Sequence, residues 1–190
     1  AVVSVDTFRA SVARKAVSAF GQLIINDISG GALDDDMFET VAELGVPYIM
    51  MHMRGTPADM QQHCDYDSLA ADILAELGER LGRLTLMGVS DIIVDPGFGF
   101  SKTLAQNYEL LASLPLFALF HRPLLVGLSR KSMATRLLGI DTADALNATT
   151  VLNTLALDRG ASILRVHDVA AARQTVDIFT ATTDFGSIDK

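Results

Sequence analysis

Six times along the chain a short apolar run stops at a polar or charged residue in a turn marked by Gly or Pro. The stops are Asp6 after Val2 to Val5, Asn26 and Asp27 after Leu23 to Ile25, and His52 after Tyr48 to Met51. They continue with Asp95 after Ile92 to Val94, Gly127 to Lys131 after Leu124 to Val126, and Arg165 and His167 around Ile163, Leu164 and Val166. The runs are rich in Val and Ile and do not alternate with polar residues, which suits strands buried on both faces. A helical stretch separates consecutive stops. Strand, polar turn and helix in repetition constrain the chain to an α/β fold with a parallel sheet, whose ligand groups gather at the carboxyl ends of the strands.

The helices are read from apolar side chains spaced by three and four. Arg9 to Phe20 puts Val12, Ala16 and Ala19 on one face, and Met37 to Leu44 does the same with Phe38, Val41 and Leu44. Asp34, Asp35 and Asp36 crowd the start of the latter, where acids favour the helix dipole. Ser68 to Met87 is the longest, followed by Leu104 to Leu114, Asp144 to Arg159 and Ala170 to Thr180. Gly21, Gly45, Gly88 and Gly160 fall where a helix hands over to a strand. No linker or repeat interrupts residues 1–182, expected to form one domain, with 183–190 a frayed tail. Six strand–helix units fall short of the eight units and about 250 residues of a (β/α)8 barrel. An open doubly wound sheet would concentrate ligand groups at one crevice, whereas here every strand end carries one. The expectation is therefore a TIM (β/α)8 barrel of which this chain holds six units, strands three to eight, without the first two.

Composition narrows the function. A hydrophobic share of 49% against 20% charged residues is that of a soluble globular enzyme. The formal charge of −8 reads against nucleic acid, since phosphate backbones need basic stripes. No run approaches the roughly 18 apolar residues of a membrane span, and the first residues lack the basic-then-apolar order of a signal peptide. The single Cys64 excludes an internal disulfide and fits a reducing compartment, so the expected location is cytoplasmic, with no membrane partner.

Chemistry concentrates in the turns. Asp6, Asn26 and Asp95 are acid or amide groups at strand ends. Pointing into one bowl, they can bind a metal or read a heterocycle, because a carboxylate facing a cyclic guanidine makes a paired, charge-favoured contact. Each can also simply cap its own turn. Arg54, Arg130, Lys131, Arg165 and His167 are the basic counterparts. Lys131 and Ser132 stand where a helix should begin, a place where free N–H groups form an anion site. Arg165 and His167 alternate across a strand end, and either can instead pair with a neighbouring acid. The turn from Asp95 to Phe100 holds two glycines, which allow close backbone approach, and two phenylalanines, one of which can wall an aromatic substrate. It lacks the third glycine of a dinucleotide fingerprint, and the stretch from Gly127 to Ser132 lacks phosphate-loop spacing. His52, His63 and Cys64 do not have the spacing of a metal set. Met50, late in its strand, either packs the interior or touches a planar ring.

Six stretches carry a resemblance: Ser4-Val5-Asp6-Thr7, Ile24-Ile25-Asn26-Asp27-Ile28-Ser29, Met51-His52-Met53-Arg54-Gly55-Thr56, Asp95-Pro96-Gly97-Phe98-Gly99-Phe100, Leu125-Val126-Gly127-Leu128-Ser129-Arg130-Lys131-Ser132 and Arg165-Val166-His167-Asp168. Through them, in this order, the chain resembles the dihydropteroate synthases. The resemblance implies an eight-unit barrel that joins a dihydropterin methylene pyrophosphate to p-aminobenzoate with Mg2+ assisting, works as a homodimer and is a sulfonamide target. Carried over, Asp6, Asn26 and Asp95 bond the pterin edge, and Lys131 contacts the pterin oxygen and ring nitrogen. Arg165 stacks over the ring and, with His167 and nearby Asn26, holds the pyrophosphate. Met50 and Gly127 shape the pterin slot, while Phe100, Lys131 and Ser132 border the aminobenzoate. The catalytic roles fall to Lys131, Arg165 and His167. Nothing here matches the family's first two units, which carry the metal-linked Asn and the lid, so the Mg2+ ligand is expected outside this chain. Two alternatives stay open: a non-catalytic pterin-binding fragment, and a pterin-dependent methyltransferase. The latter has no need of Arg130, Lys131, Ser132, Arg165 and His167 to hold a leaving pyrophosphate and a carboxylate.

Overall fold

A computed structural model of the chain describes residues 1–184, and in it each apolar run becomes a parallel strand. These are β1 (Ser4–Asp6), β2 (Ile24–Asp27), β3 (Tyr48–Met51), β4 (Ile92–Asp95), β5 (Leu125–Val126) and β6 (Ile163–Leu164). The first four form one sheet in the order β1-β2-β3-β4, and β5 pairs with β6. A bridge between Val94 and Leu124, with the Val94 N–H donating to the Pro123 carbonyl at 3.0 Å, joins the two sheets.

Between the strands lie α1 (Ala10–Phe20), α2 (Met37–Leu44), α3 (Leu69–Leu86), α4 (Leu104–Ser113), α5 (Ser132–Leu138), α6 (Leu146–Asp158) and α7 (Val169–Thr183). Their apolar spacing set them, and their ends fall close to the expected ones. Two departures have local causes. Asp34 does not serve α2 alone: its carboxylate accepts the Ala10 N–H at 2.8 Å and so satisfies a free donor at the start of α1. Helix α7 continues through Thr183, so the first residue of the expected tail is helical, while 185–190 lie outside the described residues.

Register decides what faces what. Paired residues of a parallel ladder project to the same side, and neighbours along a strand to opposite sides. The pairings Asp6 with Asn26, Asn26 with Ile49, Ile49 with Ile93 and Met51 with Asp95 therefore put Asp6, Asn26, Met51 and Asp95 on one face. The other face, carrying Ile25, Tyr48, Met50, Ile92 and Val94, is sealed against helix residues such as Leu77, Leu84 and Phe117 in a single apolar core. Burying that face against helices is the main stabilising step, at roughly 25 cal/mol per Å2 of apolar surface.

Candidate active site

The face opposite the helices collects most of the charged and amide groups expected at the strand ends. Asp6 Oδ1 accepts from Asn26 Nδ2 at 2.7 Å, and its other oxygen accepts from Arg165 Nη2 at 2.9 Å. The Arg165 N–H continues the β5–β6 ladder to Val126 O at 2.9 Å, which aims its side chain across the face toward β1. Gly127 lies between Arg165 and Lys131: a Cβ there would sit 3.8 Å from Arg165 Cβ and 3.9 Å from Lys131 Nζ. Both Arg165 and Asp6 remain more than half exposed, open to a ligand.

Asp95 is different, because it is buried. Burial pushes its carboxyl up, while the Lys131 charge, the Gly97 N–H at 2.8 Å, and the charges of Lys102 and Arg165 pull it down. Lys131 responds in kind: burial lowers its ammonium and Asp95 holds it up. Lys131 Nζ donates to the Phe98 carbonyl and stands 5.1 Å from the centre of the Phe100 ring. Phe98 itself is fully buried in the core, so only Phe100 of the two aromatics borders the site. An acceptor, two cations and a ring thus converge where a planar ligand with adjacent N–H groups can be read.

Beneath this surface lies a polar network missing from the sequence-based expectations. His52 is completely buried, with Nε2 3.2 Å from Glu76 Oε2 and Nδ1 3.1 Å from Lys102 Nζ. Lys102, also buried, donates to the Gly97 and Phe100 carbonyls at 3.0 Å each. Burial drives the Lys102 ammonium down to about 7 against the pull of Asp95. It drives His52 down to about 4, with Glu76 opposing. Burial raises Glu76, but hydrogen bonds from His52 and Arg54 outweigh it and bring the carboxyl to about 2. The one sequence signal was Glu76 beside Ile73 and Leu77 on the buried stripe of α3. Lys102 offered none, since a lysine after a turn reads as surface.

Met50, Arg54 and Arg130 make other contacts, while His167 and Ser132 lie open at the edge of the site. Met50 falls on the helix-covered face and belongs to the core; the methionine sharing a face with Asp95 is Met51. Alternation along β3 forces this, since one step along a strand reverses the face. Arg54 is committed to Glu76, donating from Nε at 2.8 Å, and lies 4.0 Å from the centre of the Tyr66 ring. Arg130 clasps Asp168 through two bonds of 2.8 and 3.0 Å and is likewise structural. His167 packs Nδ1 2.9 Å from Ser129 Oγ and stays exposed, and Ser132 opens α5 with its side chain in solvent. Among the described residues no group of three or more His, Cys, Asp or Glu side chains is placed to hold a metal ion. The donor set therefore does not fit a metal cage made by these residues alone.

Comparison with known proteins supplies the context. A family model described as "Pterin binding enzyme" matches residues 1–167. The chain is 38% identical to the dihydropteroate synthase of Escherichia coli K12 over 182 residues, covering 95% of this chain and 64% of that protein. It thus spans just under two thirds of that relative's length. The solved Yersinia pestis dihydropteroate synthase in a sulfonamide drug complex superposes with a TM-score of 0.90 at 38% identity, over 96% of this chain and 66% of the other. The Xanthomonas albilineans dihydropteroate synthase in complex with 7,8-dihydropteroate gives 0.87 at 35%, over 96% and 69%. The parallel α/β fold agrees with these likenesses, and the chain belongs to the pterin-binding enzyme family, alongside the dihydropteroate synthases.

Proposed function

We propose that this chain carries the pterin site of a dihydropteroate synthase, a transferase of folate biosynthesis. It condenses 6-hydroxymethyl-7,8-dihydropterin pyrophosphate with p-aminobenzoate to give 7,8-dihydropteroate and pyrophosphate. The observation that carries the reading is the buried Asp95 carboxylate, flanked by Lys131 and Arg165 on the face it shares with Asn26 and Asp6. A buried carboxylate facing two cations suits the paired N–H groups of a pterin ring, and Asn26 and Asp6 extend the same edge. Arg165 and His167 are assigned to the pyrophosphate, which their exposure supports. When the pterin methylene–oxygen bond breaks, its electron pair leaves with the pyrophosphate, and fixed positive charge offsets the developing negative charge. The aryl nitrogen then bonds to the methylene carbon and loses its proton. Phe100 and Ser132 border the space for the aminobenzoate, with Lys131 between the two substrates.

We further assign the six strands to units three to eight of a TIM barrel; their common parallel direction and the superpositions on synthases support this. Mg2+ assistance is carried over from the family, and since the described residues offer no fitting cage, no step is assigned to it. A homodimer in the cytoplasm, inhibited by sulfonamides, completes the proposal; no helix among the described residues is long and apolar enough to cross a membrane. Calorimetric titration of the intact protein with the pterin pyrophosphate, followed by an assay of pyrophosphate release with p-aminobenzoate, tests the proposal. Binding and release together are expected. Binding without release would reduce the protein to a pterin binder, and no binding would remove the assigned site.

A further inference from the structure

The proposed chemistry makes no use of Lys102, yet the fold invests in it. Whereas Lys15 is exposed to water and Lys131 faces the site, Lys102 is 3% exposed. Three acceptors meet its Nζ: the carbonyls of Gly97 and Phe100 at 3.0 Å and His52 Nδ1 at 3.1 Å. In its ammonium form Lys102 has three donors and no acceptor, so all three are spent and His52 Nδ1 is the unprotonated ring nitrogen. The ring hydrogen then sits on Nε2 and points at Glu76 Oε2, 3.2 Å away. Glu76 in turn is held by Arg54. One polar line runs from α3 through the end of β3 into the loop that carries Asp95.

Other bonds grip the rim of the loop, from Lys131 to the Phe98 carbonyl, from Gln61 Nε2 to the Gly99 carbonyl at 3.2 Å and from the Tyr66 hydroxyl to the Ser101 carbonyl at 3.0 Å. Among the described residues only Lys102 joins two of the loop carbonyls from beneath. Gly97 has φ +74, and a Cβ there would collide with the His52 carbonyl oxygen, so the loop lies directly on the end of β3. His52 N–H donates to Asp95 O at 2.9 Å. Ser101, buried and with φ +46, turns the chain so that Lys102 points back under the loop. Asn107 secures the far side, accepting from Gly99 N–H at 2.6 Å and donating to Lys102 O at 3.3 Å.

We propose that Lys102 is a positioning residue: bonded to Gly97 and Phe100 at once, and registered by the His52–Glu76 pair, it sets the place of the Asp95 carboxylate and the Phe100 ring. The inference rests on the pterin assignment above for its functional meaning, but its geometric content stands apart. Its charge also lies close enough to Asp95 to favour the ionised carboxylate, alongside Lys131. A small misplacement of a binding group costs about ten- to a hundredfold, which is the size of effect a pinned loop protects against.

Two measurements on the intact protein test this. The first needs no variant: nitrogen-15 NMR of the His52 ring near pH 5.5, below the Lys102 value of about 7 and above the His52 value of about 4, should show the Nε2–H tautomer. An Nδ1–H tautomer would make Lys102 something other than the threefold donor and overturn the proposal. The second uses Lys102→Met, which keeps the stem and removes the ammonium. Hydrogen exchange of the Gly97, Gly99 and Phe100 amides should speed up by about tenfold or more, while amides of β2 and α6 stay protected. Affinity for the pterin pyrophosphate should fall about ten- to a hundredfold, more than affinity for p-aminobenzoate. Unchanged exchange in the loop would overturn the positioning role whatever the ligand does. Faster exchange in a protein whose wild type binds no pterin would sink the pterin assignment and leave the positioning role standing. Should Lys102→Met not fold, the His52 tautomer still decides.

Discussion

At the scale of single residues, Asp95 and the two methionines of β3 separate binding from folding. Asp95 is buried, its carboxylate accepts the Gly97 N–H, and it faces positive charge from Lys131, Lys102 and Arg165. Asp95→Ala leaves those cations without a partner and a pterin without its paired acceptor. Pterin affinity should fall by about 2–5 kcal/mol in a calorimetric titration; an unchanged affinity would mean the ligand sits elsewhere. Met50 and Met51 are neighbours with opposite duties. Met50→Ala empties a fully buried core position and should cost about 2–5 kcal/mol of stability, read by urea unfolding, with pterin affinity intact. Met51→Ala should instead show its larger change in the titration. The reverse outcome would mean that the β3 register is off by one.

Among the elements, the link between β3 and α3 is where charge and pH meet. His52, held down to about 4 from 6.5, stays neutral in the fold while the unfolded chain takes up a proton. Between pH 6.5 and 4 stability therefore falls as pH drops. Glu76, brought to about 2 from 4.5, adds stability that is present above 4.5 and lost as pH falls through 2. Lys102, lowered to about 7, acts at the other end: stability should rise from pH 7 toward 10.5 as the unfolded chain alone keeps that proton. A melting series from pH 7 to 4 should show a steady decline, and His52→Gln should flatten it over that window while sparing the limb below 4.5. An unaltered slope would show that another group governs acid sensitivity. Such a link marks the boundary of what the sequence discloses. Helix α2 was legible to the residue because Phe38, Val41 and Leu44 repeat at helical spacing, and strand ends were legible because polar residues interrupt short apolar runs. Asp6, Asn26, Asp95 and Arg165 followed from those ends. His52 was legible as a strand end too, but its partners Glu76 and Lys102 were not, because 24 and 50 residues separate groups that meet only through the sheet order. The face taken by Met50 was hidden for a related reason: a run apolar at every position carries no alternation from which to read a face.

For the whole molecule, the weak place is the seam between its two sheets. β3 is buried along its length with a partner strand on each side, whereas β6 is two residues long, half-buried, and paired on one side among the described residues. A single bridge at Val94 and Leu124 ties the sheets along the ladder. Across the open face Lys131 reaches the Phe98 carbonyl and Arg165 pairs with Asp6; the latter pair is exposed, and exposed pairs contribute only about 0–1 kcal/mol. Local opening should therefore begin at β5 and β6 and leave β1 to β4 closed. In native-state hydrogen exchange, the amides of Ile163 and Arg165, bonded to Leu124 and Val126, should open at lower free energy than those of Ile25 and Tyr48, bonded to Pro47 and Asp91. Equal opening energies would mean one cooperative unit instead. A ligand that touches Asp95 and Asn26 on one sheet and Arg165 on the other stabilises only the joined state, by the mass action of its binding. Saturating pterin pyrophosphate should then slow exchange at Arg165 more than at Tyr48, whereas equal slowing would place the ligand on the four-stranded sheet alone.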